Sequence, residues 1–387
     1  MAAELFTSID WIWLYLIPFM LVITVIVFVH ELGHYLVAKY NGVKIEVFSI
    51  GFGPEIFGFN DKAGTRWKFS WIPLGGYVRM LSDADAASRP DKEQIGKMTS
   101  EEMQHSHFHK TVWQRIQISV AGPLANFAFS IIVFTILFST SGQPLPPTGS
   151  EEAFIGQVSP SGPAGKAGIK AGDKVISVND VQIHNFKDLQ QIVNNNPGKN
   201  LAFEVLRPNG AHDKLNIMTE GLTAKDEAGN QKIIGIINIR PKIDFVVLPI
   251  HEAALMAVVK TYEICAETLK GVGRMITGKA SADSLSGPIG IAKMSGELAT
   301  ADISVIFTFI AILSLSLGLI NLFPIPMLDG GHLLFYLIEA IKGKPLTEKS
   351  QEIGFTIGLV FLGALMLFST WNDLGKLQWV KKLISIF

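Results

Sequence analysis

The chain of 387 residues is 48% hydrophobic and 17% charged, with a mean hydropathy of +0.34, which is too apolar for an ordinary soluble domain and excludes a disordered or collagen-like chain. Its 33 basic and 34 acidic residues leave a net charge of -1, so no global positive field draws in nucleic acid, and none is expected as a partner. The lone cysteine, Cys265, excludes an intramolecular disulfide framework and a thiolate zinc cluster, so any metal must rest on histidines and carboxylates.

The apolar residues fall in runs. Residues 11–30, 116–139, 303–328 and 353–371 contain no Asp, Glu, Lys or Arg, and each can cross a hydrocarbon core about 30 Å thick. The ten residues before the first run carry no Lys or Arg and no small-residue cleavage site follows it, so residues 1–38 are expected to hold a retained span and not a signal peptide.

This span ends in His30-Glu31-Leu32-Gly33-His34. Four residues on a helix turn through roughly 400°, so both imidazoles share one face and can share one zinc ion, with Glu31 beside the water it would activate. Ionisable groups at the end of an apolar span are costly, which favours a metal pair over two interfacial histidines.

Residues 39–112 form a loop bracketed by Lys39, Lys44, Lys110 and, just past its end, Arg115, which places it in the cytoplasm. Within it, 47–53 and 68–78 read as short apolar strands joined through Gly- and Pro-containing turns. His105, His107 and His109 alternate in a polar stretch with no carboxylate in register, and read as a solvated segment. The second span, 113–140, opens with Ala121-Gly122-Pro123-Leu124-Ala125-Asn126, a small-residue face that lets helices approach closely.

A Pro/Gly/Ser linker at 141–150 leads into 151–241, a segment of soluble composition. Strands are expected at 154–158, in a hairpin over 174–183 turning at Asn179-Asp180, and in a second hairpin turning at Asn209-Gly210. An amphipathic helix carries Phe186, Leu189, Ile192 and Val193. Residues 161–179 resemble the PDZ domains of bacterial proteases, which add an extended peptide to a sheet edge. Residues 242–302 hold an amphipathic helix, 249–278, expected to lie on the outer membrane surface and to couple the PDZ domain to the gate.

The third span, 303–340, contains Asn321-Leu-Phe-Pro-Ile-Pro-Met-Leu-Asp329-Gly-Gly-His332. Pro324 and Pro326 break the helix, and broken backbone at membrane depth is tolerated where it is buried in protein or lines a wet cavity. Catalytic zinc normally has three protein ligands, and Asp329 is the candidate for the third. His332, three residues on, is an interfacial residue or a donor that orients Asp329. A loop at 341–352, a fourth span at 353–372 and a tail at 373–387 complete the chain, with both termini outside.

His-Glu-x-x-His in a first span and Asn-x-x-Pro-x-Pro-x-Leu-Asp-Gly near the end of a third resemble the site-2 protease family of intramembrane zinc metalloproteases. Residues 121–126 and Leu285-Ser-Gly-Pro-Ile-Gly-Ile291 are similar to further family motifs. The well-known bacterial members carry two tandem PDZ domains, and here one such segment is found. The apolar runs, the single PDZ-like segment and the resemblance together lead to the expectation of a polytopic α-helical membrane protein of four transmembrane helices, with a membrane-associated β element and one extracytoplasmic PDZ domain of α+β type.

The resemblance further implies Zn2+ on His30, His34 and Asp329, Glu31 as general base, and a substrate contact from Asn321; Asn126, Pro324 and Pro326 are further candidates for substrate contact, with helix packing the alternative for Asn126. The expected substrates are single-span membrane proteins, such as an anti-sigma factor or remnant signal peptides. They would be cleaved after an outer cut, by a monomer in the bacterial inner membrane with its site towards the cytoplasm. Two other readings are a catalytically silent PDZ adapter for exposed C-termini, and a membrane-tethered protease of soluble peptides. The intact set of His30, Glu31, His34 and Asp329 speaks against the first, and Asp329 within the apolar core against the second.

Overall fold

The computed structural model describes residues 12–84, 91–145, 152–225, 231–279, 285–299 and 301–376. The expected N-terminal stretch, part of the linker and most of the tail lie outside these residues.

After a π-helical turn, Ile12–Leu16, helix α1 runs over Ile17–Tyr40, begun by a proline in its first turn. Two long strands follow, β1 (Ile45–Asn60) and β2 (Arg66–Met80). Both extend beyond the strands read from the sequence and bend, because Gly51, Gly53 and Gly75 take φ of 88°, 89° and 128°. The bends let one strand meet the other twice: Ile50 faces Gly76 and also Phe69, while Asn60 faces Arg66. Phe48, Ile50, Val78 and Met80 bury against Tyr35 and Ala38 of α1. The turn is tied to the same helix by Asp61, which accepts hydrogen bonds from Tyr35 (2.9 Å) and Trp67 (3.2 Å). Phe52, Ile56, Phe57, Phe59, Trp71 and Ile72 remain exposed on the hairpin.

Helix α2 spans Val112–Thr140 and contains Pro123, which cannot donate back to the Ser119 carbonyl. The unit formed by residues 141–248 has its own core around Ile155, Val175, Leu189, Phe203 and Ile217. Its elements are β3 (Ile155–Val158), β4 (Lys174–Val178), β5 (Val181–Gln182), α3 (Phe186–Asn194), β6 (Asn200–Leu206), β7 (His212–Met218), β8 (Glu220–Lys225), β9 (Gln231–Ile236) and β10 (Ile239–Pro241). The main sheet has the order β5-β4-β6-β7, while β9 pairs with β8 and β10 with β3. Positive φ at Asn179 (48°) and Asp180 (62°) makes the tight turn between β4 and β5.

The remaining helices belong with α1 and α2 in the other unit. Helix α4, Ile250–Ile276, packs Ala253, Ala257 and Thr261 inward. Helix α5, Pro288–Leu298, starts within the Leu285–Ile291 motif, and its first turn is held by Asp373, which accepts from the Gly290 N–H at 2.7 Å. The expected third span is two helices, α6 (Ile303–Asn321) and α7 (Asp329–Lys342), with the Pro-containing turn between them. Helix α8, Glu348–Lys376, continues past both ends of its apolar run.

Among the described residues four helices are long and apolar enough to cross a membrane, over Trp13–Tyr40, Val112–Thr140, Ile303–Asn321 and Glu348–Gly375. Polar side chains knit α2 to α6: Ser130 donates to the Ala311 carbonyl at 2.9 Å, and Ser314 to the Asn126 carbonyl at 3.2 Å.

Candidate metal centre

The helical stagger of His30 and His34 stacks their rings edge to face, with centroids 4.8 Å apart and Nε2 atoms 3.3 Å apart. Helix α2 lies against this face of α1. A Cβ on Gly122 would collide with His34 Nε2 and His30 Cε1, and one on Gly33 with the Ala121 carbonyl. The small-residue face of α2 thus clears space for two imidazoles. The Ile118 carbonyl accepts from His34 Nδ1 at 2.8 Å, which leaves Nε2 directed at the site.

Asn126 is fully buried, with its amide 3.2 Å from His30 Nδ1 and its Oδ1 without a partner. The two amide ends are interchangeable by a half turn. With Oδ1 turned onto His30 Nδ1–H, the orphaned oxygen is satisfied and His30 Nε2 is free to ligate. In this structure Asn126 has no exposed surface, and the side chain it meets is His30.

Asp329 opens α7. The turn before it places Met327 at φ 86°, an uncommon conformation for a side chain with a Cβ, and such strain concentrates at functional sites. The Asp329 carboxylate comes within 3.1 Å of His30 Nε2 and 3.4 Å of His34 Nε2. Ligands about 2.0 to 2.1 Å from a tetrahedral zinc ion lie roughly 3.3 Å apart. The two imidazole nitrogens stand at that spacing, the 3.1 Å contact is made by Asp329 Oδ2 and the 3.4 Å contact by Oδ1, and one ligand atom from each of the three residues lies within 4.8 Å of the others, so the donor set fits zinc.

The trio opens onto a cavity of about 400 Å³, also lined by Glu31, Gly76, Asn321, His332 and Tyr336. Val78 of β2 lines the same cavity as Glu31. Asn321 Nδ2 stands 3.3 Å from His30 Nε2. Pro324 and Pro326 do not line the cavity: Pro324 is exposed, and Pro326 packs against the backbone at Gly354 and Gly358 of α8. Their rigid φ shapes the turn that delivers Asp329.

The solvated reading of the histidine triplet fails at its middle member. His105 is exposed and bonds the Gly42 carbonyl, but His107 is 3% exposed, lines the cavity and has no hydrogen-bond partner for either ring nitrogen. Burial is the main cause that holds its pKa down to about 3, and the basic groups of His332, Arg115 and His34 add to it. The alternating spacing gave the available hint, since one of three such residues can turn inward.

Residues 18–365 match the sequence model of peptidase family M50. The chain belongs to peptidase family M50, the site-2 proteases. This M50 chain is 40% identical over 368 residues to a protein of Agrobacterium fabrum, with 94% of this chain and 96% of that one covered. It is 35% identical to metalloprotease MmpA of Caulobacter vibrioides, covering 96% and 98% of the two chains. It is 33% identical to zinc metalloprotease RasP of Geobacillus kaustophilus, covering 93% and 98%. It is a zinc metalloprotease with apolar membrane-spanning helices.

Two expectations follow. Gly122→Ala should weaken zinc binding by about tenfold or more in a competition titration, because the methyl group displaces both imidazoles. His107 binds no proton in the folded state above about pH 3, whereas unfolded histidine protonates below about 6.5. Its contribution to stability is therefore present above pH 6.5 and lost as pH falls through that window. His107→Phe should flatten this acid limb in thermal unfolding curves of the purified protein.

Proposed function

We propose that this protease cuts single-span membrane proteins within the bilayer, after an earlier cut has shortened their outer domain, as a step in regulated intramembrane proteolysis. The observation that carries the reading is where the metal-fitting trio lies. His30 and His34 belong to the apolar helix Trp13–Tyr40, and Asp329 follows the apolar helix Ile303–Asn321 across one broken turn. A protease of soluble peptides has no need to meet the cost of such polar groups beside apolar spans.

His30, His34 and Asp329 hold the metal, with Asn126 and Ile118 behind the two imidazoles. Bound zinc supplies a Lewis acid that acidifies water and polarises the peptide carbonyl. Glu31 takes the proton of the attacking water and returns it to the leaving nitrogen as the C–N bond breaks. Asn321 offers its amide to the substrate backbone. A substrate helix must unwind first, since its carbonyls are hydrogen-bonded and covered. The segment of β2 at residues 75–78 lines the cavity and supports strand addition as the means of holding the unwound stretch.

The basic residues Lys39, Lys44 and Lys110 near span ends favour a cytoplasmic loop at 39–112 in a bacterial inner membrane. With both termini outside, residues 151–241 are extracytoplasmic and act as a size filter, with no part in the chemistry.

Glu31→Gln should keep stoichiometric zinc by elemental analysis and lower turnover at least about a hundredfold, because an amide cannot accept the water proton. Retained turnover would remove Glu31 from this role. Deleting residues 151–240 should preserve zinc binding and cleavage of a pre-trimmed substrate in reconstituted membranes, while allowing some cleavage of the untrimmed form. If the folded, zinc-loaded deletion variant fails on the trimmed substrate, the domain is a required binder and the filter is wrong.

A further inference from the structure

We propose that the buried ion pair of Arg115 and Glu339 is a positioning clamp for the metal centre, which sets the tilt of α7 so that Asp329 meets His30 and His34. The proposal rests on the ligand set given above. It assigns a role to two residues that touch neither metal nor substrate.

Arg115 and Glu339 lie 224 positions apart, at the start of α2 and near the end of α7. They meet fork to fork, Nη1 to Oε2 at 3.1 Å and Nη2 to Oε1 at 2.6 Å, with side chains 11% and 13% exposed. The remaining parts of the guanidinium are also engaged. Nε donates to the Lys110 carbonyl at 3.2 Å, and the group lies over the Tyr336 ring, 4.8 Å from its centroid. This planar, multiply bonded arrangement fixes orientation as well as distance, and a lysine cannot reproduce it.

The two helices so joined are the two that complete the centre. Three residues after Arg115, the Ile118 carbonyl fixes the His34 ring, and Gly122 and Asn126 follow on the same helix. Helix α7 begins at Asp329, and Glu339 lies ten residues further on, about 15 Å along the axis. Tyr336, between them, lines the cavity. Pivoting a rigid helix by about 2° at Glu339 would move the Asp329 carboxylate roughly 0.5 Å, beyond the ~0.2 Å that zinc–ligand distances tolerate. The turn before Asp329 holds the near end of α7 through the Leu328 N–H to Ile325 carbonyl bond at 3.0 Å, and the clamp holds the far end. Buried ion pairs are weak stabilisers, because desolvation offsets their attraction, so a geometric role accounts for this one better than an energetic one.

The test uses full-length protein purified in detergent, as Glu339→Gln, Arg115→Lys and the double variant Arg115→Gln/Glu339→Gln, with Asp329→Ala alongside. Three quantities are measured: zinc affinity against a chromophoric chelator, the visible absorption of cobalt(II) bound in place of zinc, and the thermal midpoint of the metal-free protein. All three clamp variants should bind zinc about tenfold to a hundredfold more weakly and show an altered cobalt spectrum. The double variant, which leaves no unpaired buried charge, should regain most of the metal-free thermal midpoint without regaining zinc affinity. Parental zinc affinity and cobalt spectrum in folded Glu339→Gln and in the double variant, with Asp329→Ala impaired, would overturn the clamp and leave the ligand set standing. Parental zinc affinity in Asp329→Ala would overturn the ligand set and the clamp with it.

Discussion

Two imidazoles stacked one helical turn apart need a neighbouring wall that is close, polar where the ring nitrogens point, and empty where the rings stand. Helix α2 supplies this wall because Gly122 has no side chain at the point where the rings pass, while the Ile118 carbonyl and Asn126 stand on either side of it. The rest of the membrane unit follows from that contact. Once α1 and α2 are this close, the second face of α2 is free to take α6 through the hydroxyls of Ser130 and Ser314. The end of α6 then delivers the turn that starts α7 at Asp329.

The site has two kinds of wall. One is helical and rigid, with α1, α2 and α7 contributing the groups that meet at the centre. The other is the curled hairpin, whose residues 75–78 line one side of the cavity. Peptide hydrolysis needs room for water beside a surface that meets the peptide backbone. Here a strand wall faces a helical wall: the strand brings backbone polar groups at regular spacing, and the helices carry the ionisable side chains.

Much of this was legible in the sequence, for reasons that differ by residue. The apolar runs and the four-residue spacing of His30 and His34 are local patterns, and local patterns survive folding. Asn126 and Pro326 illustrate the opposite case. Both sit in motifs that suggested substrate contact, but what each touches is decided by partners 96 residues away for Asn126 and across a turn on α8 for Pro326. His107 lies beneath the cavity, and a polar loop gives no local sign of that. The double pairing of β1 with β2 depends on positive φ at three glycines, which alternation alone does not reveal. The break between α6 and α7 was signalled by two prolines, but the strained residue there is Met327, whose side chain gives no warning of it. Helix α8 extends past its apolar run because polar and charged residues such as Glu348 and Glu352 are as compatible with helical backbone as the apolar ones.

Helix α8 also has a consequence for how the enzyme meets its surroundings. Near one end Gly354 and Gly358 admit Pro326, and near the other Asp373 binds the first turn of α5. Between these attachments Leu359, Val360, Phe361, Leu365 and Leu367 point outward. Lipid tails are as apolar as these side chains, so no hydrophobic force presses the middle of α8 inward. Its seating is therefore sensitive to bilayer thickness, because a thicker or thinner membrane changes the tilt that best covers the 29-residue helix while the two anchor points stay fixed. One of those anchor points is the Pro326 turn that precedes Asp329, so the seating of α8 and the start of α7 share a contact.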